Sequence, residues 1–139
     1  MKNDNLELLE LKALMLEYCR QRGFLVNQNP RRQGIGTPIA MLIQNGDIRE
    51  TIGVMIKDWK RSVGIDVILR AEDLLKVTPT ISKVLIVSNL FSEPAQSLAK
   101  RVGILLLTRL DLIRILSGES ELPNRLLGPA DEGQDVTLY

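Results

Sequence analysis

The sequence predicts an α/β domain with a central mixed β-sheet flanked by helices, and two patterns carry this prediction. In the second half of the chain, helical periodicity alternates with short apolar runs rich in β-branched residues, which is typical of parallel strands joined by helical crossovers. In the first half, two apolar runs lie on either side of an Asn-Gly pair, which favours an antiparallel hairpin. The length of 139 residues suits a single domain.

The first predicted element is an amphipathic helix over residues 6–22, because apolar side chains recur there at helical spacing and Gly23 follows as a stop. Residues 24–26 form a short strand-like run. The following loop is rich in Asn, Pro and Gly and has a basic tip at Arg31 and Arg32. The chain therefore begins with a helix, a strand and a basic loop.

The predicted hairpin is formed by two apolar strands at residues 38–43 and 52–57. The connection between them contains Asn45 and Gly46 and is longer than a two-residue turn. Helical periodicity then returns over residues 65–77. The antiparallel strands thus precede the first crossover helix.

The second half of the chain alternates strands and helices. Residues 83–88 form a near-continuous β-branched run, which predicts a strand buried on both faces. Ser92 is a good N-cap for a helix that Gly103 ends, and residues 104–107 form another short buried strand. A last helix is predicted over residues 108–117, and it begins with capping-box spacing.

The end of the chain has a different composition from the rest. Residues 118–139 contain Pro, Gly and acidic residues without any period, which is typical of a disordered tail or of an arm laid along the body. We therefore expect one domain over residues 1–117 and a C-terminal tail over residues 118–139.

The composition narrows the chemistry that the chain can perform. It has no histidine and one cysteine, Cys19, which excludes hydrolases with a histidine base and metal sites built from several cysteines. A net charge of +1 neither favours nor excludes a nucleic-acid partner. The sequence lacks a signal peptide pattern and any apolar run of the ~18–20 residues that a membrane span needs, so we expect a cytoplasmic protein without a membrane partner.

The end of the second hairpin strand carries a high density of cations. Lys57, Lys60 and Arg61 lie within five positions of one another, together with Trp59, the one tryptophan of the chain. Lysine and arginine side chains supply many of the contacts that proteins make to nucleic-acid phosphates. Lys60 and Arg61 could instead only solvate the start of the following helix, so both interpretations stay open.

Residues 52–64 and 84–104 resemble the Mrr-type restriction endonuclease domain of the PD-(D/E)XK nuclease superfamily. In that family a strand ending in (Glu/Gln)-x-Lys leads to a Val-Gly helix. After this helix come a strand with small polar residues, a Phe-Ser turn, a helix with two alanines and a Gly-Ile pair. This chain has the same order over residues 6–117. The resemblance implies a restriction-endonuclease-like fold and DNA as the partner, with self-association as a homodimer, which is common in the superfamily.

The resemblance also implies a site in which two acidic positions hold other residues. The family's catalytic lysine matches Lys57, its Glu/Gln position matches Met55, and its metal-binding aspartate matches Pro38. Neither methionine nor proline offers the hard oxygen ligand that Mg²⁺ requires. Glu10 is our candidate for the acidic residue that some relatives carry on the first helix. We therefore expect a degenerate, inactive phosphodiesterase site that needs no cofactor.

Three functions stay open on the sequence alone. The first choice is a nuclease-like module that binds nucleic acid through the remaining cations and the tryptophan. Its candidate contacts are Lys57, Trp59, Lys60, Arg61, Arg31 and Arg32. The second function is an active Mg²⁺-dependent DNA endonuclease with relocated carboxylates. Its candidates are Glu7, Glu10, Glu17, Asp47, Glu50, Asp58 and Asp66, of which Asp58 points away from Lys57 if the strand continues. The third is a structural or dimerisation subunit without nucleic-acid binding.

Overall fold

The computed structural model describes residues 6–30, 39–45 and 50–118, which form a five-stranded sheet between two pairs of helices. The strands are β1 (Leu25–Asn27), β2 (Met41–Gln44), β3 (Thr51–Lys57), β4 (Lys83–Ser88) and β5 (Leu105–Thr108). The helices are α1 (Leu11–Arg22), α2 (Ile65–Val77), α3 (Glu93–Val102) and α4 (Arg109–Leu116). The order of these elements along the chain is the predicted one, and the α/β prediction is confirmed.

The sheet is mixed, as predicted, with the strand order β1-β2-β3-β4-β5. β2 pairs antiparallel with both β1 and β3, and Ile43 lies opposite Ile52 in the predicted hairpin. β3, β4 and β5 are parallel, with Lys57 paired with Ser88 and Ser88 paired with Thr108. The three parallel strands therefore finish side by side, at what we call the carboxyl end of the sheet.

Two hydrophobic cores lie on opposite faces of the sheet. α1 and α4 cover one face, where Val54 and Leu85 are buried. α2 and α3 cover the other face, where Met55 and Ile86 are fully buried. Alternate residues of β3 and β4 thus enter opposite cores, which explains the continuous apolar runs in the sequence. Full burial of each such side chain contributes about 1.5–3 kcal/mol to stability.

Local sequence sets the starts of the last two helices. The Ser92 hydroxyl caps α3 by accepting a hydrogen bond from the Ala95 amide at 3.2 Å, and Gly103 ends this helix at φ 78°, in the left-handed region that favours glycine. Thr108 and Asp111 form the capping box of α4, each side chain accepting a hydrogen bond from the other residue's amide. The predictions from spacing are confirmed at both helices.

The start of α1 differs from the prediction. The helix begins at Leu11 rather than at Leu6, because Glu10 is extended with ψ 155° and the Leu11 amide donates to the Asp58 carboxylate at 3.4 Å. A tertiary contact from another strand therefore sets this start. Leu6 is nevertheless fully buried, which is why the apolar pattern extends to it.

The remaining predictions about the chain have mixed outcomes. Cys19 is fully buried on α1, and burial raises the pKa of its thiol to about 12, which confirms it as a core residue. Every strand begins and ends within three residues of its predicted bounds. Among the described residues, no helix combines the length and apolar character that a membrane span requires. Predictions about Arg31, Arg32, Pro38, Asp47 and residues 119–139 lie outside the described residues.

Candidate functional site

The carboxyl end of the sheet gathers polar residues from three strands. Asp58 directly follows β3, Asn89 follows β4 and Arg109 follows β5. Because these strands are parallel and end in register, the three side chains meet at one place. We call these three residues the strand-end network.

Hydrogen bonds connect the strand-end network on every side. The Asn89 amide donates to the Asp58 carboxylate at 3.0 Å and to the Trp59 carbonyl at 2.7 Å. The Arg109 guanidinium donates to the Asn89 side-chain oxygen at 2.7 Å and to Asp58 at 3.2 Å. It also donates to the carbonyl of Leu9, which precedes α1. The network therefore ties β3, β4, α4 and the start of α1 together.

Asp58 is held as a carboxylate by this arrangement. The hydrogen bond from Asn89, assisted by the Leu11 amide and by Arg109, lowers the pKa of Asp58 from its ordinary value, although partial desolvation opposes the shift. The side chains of Asp58 and Arg109 are 41% and 25% exposed, so their ion pair is partly accessible to water. The Asp58 charge is thus balanced within the network.

Glu10, the acidic candidate of the first helix, adjoins two residues that contact the network. Its neighbours Leu9 and Leu11 supply the backbone carbonyl and amide that contact Arg109 and Asp58. Glu10 itself is the N-cap of α1 but makes no side-chain capping bond, and it is exposed. An acidic side chain therefore stands at the carboxyl end of the sheet, on its solvent side.

A second group of charged residues follows the same strand. The Lys57 ammonium lies 5.4 Å from the centre of the Trp59 ring, and the Arg61 guanidinium lies 4.2 Å from it. Both distances fall within the range of cation–π attraction. We call Lys57, Trp59 and Arg61 the cation–indole cluster. Lys60 is exposed beside it.

The backbone of the cation–indole cluster is anchored to the end of β4. The Ser88 hydroxyl donates to the Lys57 carbonyl at 2.8 Å. After Arg61 the chain approaches the segment that follows β4, where the Val63 amide donates to the Leu90 carbonyl at 2.9 Å. The cluster therefore occupies a short segment that is fixed before and after its cations.

The residue that the resemblance matches to the family's Glu/Gln is inside the protein. Met55 is fully buried in the core beneath α2 and α3. Because side chains alternate along a strand, Met55 shares a strand face with Lys57. A buried thioether is a poor ligand for a hard cation such as Mg²⁺.

Two of the other acidic candidates, Glu50 and Glu17, pair with cations elsewhere. Glu50 pairs with Lys83 at 3.3 Å, at the end of the sheet where β3 and β4 begin. Glu17 lies further along α1 and pairs with Arg20. Within residues 6–30, 39–45 and 50–118, no three Asp, Glu, His or Cys side chains form a group that could hold a metal ion. Glu50 and Glu17 are therefore each paired with a cation other than Lys57.

The structure brings some of the predicted site residues together and adds others. Lys57, Trp59 and Arg61 form one cluster, and Glu10 lies at the same end of the sheet. The sequence reasoning gave no role to Asn89 or Arg109. The signal that could have found them is a polar residue directly after each of three buried parallel strands.

Comparisons with known proteins agree with this architecture. A family model described as a restriction endonuclease, the Mrr catalytic domain, matches residues 3–116. Among solved structures, the crystal structure of a protein of unknown function, AF1548, is similar with a TM-score of 0.60 and 16% identity. The similarity covers 84% of this chain and 76% of that one, and it supports the fold alone. A search of curated proteins gave no match.

Proposed function

The chain belongs to the Mrr-type restriction endonuclease family of the PD-(D/E)XK nuclease superfamily, and from this premise we propose that it binds DNA and does not cleave it. The observation that carries the proposal is the cation–indole cluster. It presents Lys57 and Arg61 at the carboxyl end of the sheet, while the family's acidic position on the same strand is the buried Met55.

The distribution of ion pairs among the described residues supports DNA binding by the cluster. Among the residues that the structure describes, no carboxylate lies within 4.0 Å of the charged groups of Lys57, Lys60 or Arg61. Arg109, by contrast, is paired with Asp58. Unpaired cations can exchange their counterions for phosphates, and the release of counterions from DNA drives association. We propose that Arg31 and Arg32 also bind the DNA.

The donor set supports the absence of catalysis. Hydrolysis of a phosphodiester by this family relies on a divalent ion held by carboxylate oxygens. Met55 supplies no such oxygen, and Pro38 stands at the other acidic position. The carboxylate nearest along the chain, Asp58, is occupied by Asn89, Arg109 and the Leu11 amide. Lys57 is then left as a phosphate contact without a metal to assist.

A titration with a short labelled duplex tests the binding. Fluorescence anisotropy measured between about 50 and 200 mM salt should show an affinity that falls linearly on a double logarithmic scale. Lys57→Ala and Arg61→Ala should each weaken binding and reduce the salt slope by about one. Arg101→Ala is the matched control, because Arg101 is an exposed arginine near the far end of α3. Absence of binding at the lowest salt would remove DNA as the partner.

A cleavage assay tests the second half of the proposal. The protein should leave supercoiled plasmid and linear duplex intact in the presence of Mg²⁺ or Mn²⁺. Metal-dependent cutting that Lys57→Ala abolishes would contradict the proposal and would establish the active endonuclease with relocated carboxylates instead.

A structural or dimerisation subunit is the second candidate, and exposed leucines favour it. Leu8, Leu90 and Leu110 are 83%, 55% and 52% exposed. Leu90 follows Asn89, Leu110 follows Arg109 and Leu8 precedes Leu9, so the backbones of the three leucines lie near the strand-end network. Exposed apolar side chains at one end of the sheet favour a protein interface. Sedimentation velocity should detect a homodimer of the wild-type chain. The double variant Leu90→Ser, Leu110→Ser should sediment as a monomer.

We retain the proposed division of the chain into a nuclease-like domain, residues 1–117, and a C-terminal tail, residues 118–139. The composition of the tail supports this division. A chain ending at residue 118 should unfold with the same denaturant midpoint as the full chain. A lower midpoint would contradict the division, because it would mean that the last residues stabilise the domain.

A further inference from the structure

The indole of Trp59 is positioned between the protein core and two cations. Trp59 is partly buried and packs against the core beneath α2 and α3. Arg61 and Lys57 both lie over its ring system within cation–π range. A ring in this position is not available as an open platform for a nucleobase on the side that Arg61 covers.

We propose that Trp59 is a positioning residue, which holds the charged groups of Lys57 and Arg61 toward backbone phosphates and does not stack on bases. The inference rests on the proposed function, since it assumes that the cluster contacts DNA. It adds that the site recognises DNA through its backbone phosphates and does not distinguish base sequences.

The electrostatics of the cluster explain why an aromatic ring is needed. Both distances are measured from one ring, so the Lys57 and Arg61 charges lie less than 10 Å apart. Two like charges at such a separation repel, and the negative face of the indole attracts each of them. Duplex DNA carries about one phosphate charge per 1.7 Å of its axis, so several phosphates fall within the same span.

The backbone keeps the ring in place before any ligand arrives. The Trp59 carbonyl accepts a hydrogen bond from the Asn89 side-chain amide at 2.7 Å, and the Lys57 carbonyl accepts one from the Ser88 hydroxyl at 2.8 Å. Arg and Lys side chains lose much rotamer freedom when they are fixed in a complex. Cations that already rest on a fixed ring lose less, so the cluster is pre-organised for phosphate.

The guanidinium of Arg61 retains its hydrogen-bonding capacity in this position. A guanidinium that lies over an aromatic ring keeps its N–H donors at its rim, where they match phosphate oxygens. Within the described residues, no carboxylate forms an ion pair with Arg61. A diester phosphate, with paired oxygens and a negative charge, fits these donors.

The experiment uses the full chain, whose one tryptophan makes intrinsic fluorescence a direct report on Trp59. Binding of a duplex and of a single strand with the same sequence is measured by anisotropy, and Trp59 emission is recorded at saturation. Both are repeated on a second, unrelated sequence. The expected result is binding of both duplexes with equal affinity, no preference for the single strand, and emission that is not quenched.

A double-mutant cycle tests the positioning role. Trp59→Leu should weaken duplex binding several-fold in the wild-type background and much less in the background of Lys57→Ala with Arg61→Ala, because the ring acts through those cations. Trp59→Phe keeps a weaker aromatic face and should give a partial loss. If Trp59→Leu fails to fold, as judged by circular dichroism, the same cycle is run with Trp59→Phe.

Two outcomes would overturn the inference, and they differ from each other. Tighter binding of single strands with strong quenching, or an effect of Trp59→Leu that is undiminished without the cations, would mean direct base stacking while DNA binding itself stands. No binding of any strand at about 50 mM salt would mean that the proposed function has failed.

Discussion

The strand-end network and the cation–indole cluster begin one residue apart on the chain, yet they treat charge in opposite ways. In the network, Asp58, Asn89 and Arg109 satisfy one another. In the cluster, Lys57 and Arg61 rest on an aromatic ring without an acidic partner among the described residues. A closed set of polar groups stabilises a fold, whereas an open set of cations is available to a ligand.

The alternation of side chains explains how neighbours take such different roles. Lys57 shares the strand face of Met55, toward α2 and α3, and Trp59 packs on that same side. Asp58 points the other way and reaches the start of α1. One end of one strand thus supplies a structural contact on one side and a basic surface on the other.

Replacing Arg109 by Ala should have the largest effect on stability. The change removes a cation from Asp58, a donor from Asn89 and a donor from the Leu9 carbonyl. Loss of hydrogen bonds that involve charged groups should lower the free energy of unfolding by about 1.5–3 kcal/mol. Urea unfolding measures this value, with Arg114→Ala, an exposed arginine on the same helix, as the control.

DNA binding by Arg109→Ala also tests whether the strand-end network and the cation–indole cluster have different roles. The salt slope of duplex binding should be unchanged in Arg109→Ala, because its guanidinium is already paired with Asp58. A reduced slope would show that Arg109 contacts phosphate, and the contrast between the two regions would then be wrong.

Asn89→Ala should affect both regions, because Asn89 is the residue that connects them. It donates to Asp58 in the network and to the Trp59 carbonyl in the cluster. We expect a loss of about 1–2 kcal/mol in the free energy of unfolding together with weaker duplex binding. The control is Gln96→Ala, which removes a comparable amide donor to the Phe91 carbonyl. Gln96→Ala should change stability without changing DNA affinity.

Acid should remove the stability that the Asp58 charge contributes to the fold. Because the pKa of Asp58 is lower in the folded chain than in the unfolded one, its contribution is present above the unfolded value of about 4 and is lost as the pH falls through the folded value. The stability of wild type should therefore decrease more between pH 5 and 2 than that of Asp58→Asn. The difference should be below about 1 kcal/mol, since the ion pair is partly exposed. Parallel pH profiles of the two proteins would contradict a role for the Asp58 charge.

The elements and their caps could be predicted from the sequence, whereas the contacts of the strand-end network could not. The difference has a physical reason. Apolar periodicity and capping residues are local, so they predicted the order of the elements and the caps at Ser92 and Thr108. The strand-end network joins residues as far apart as Asp58 and Arg109. The sequence marks them only as polar residues after buried strands, and their contacts depend on the register of those strands. The predicted start of α1 was wrong because the contact at the observed start comes from Asp58, which is distant in the sequence.

Removing the cluster's cations should have the smallest effect on stability. Arg61→Ala and Lys57→Met, which keeps much of the lysine's aliphatic stem, should each change the free energy of unfolding by no more than about 0.5 kcal/mol. Neither charge is paired with a described carboxylate, so no buried or charged partner is left unsatisfied. Urea unfolding of both variants beside Arg109→Ala checks the ranking. A loss as large as that of Arg109→Ala would mean that the cations are part of the fold, and DNA binding would then need another surface.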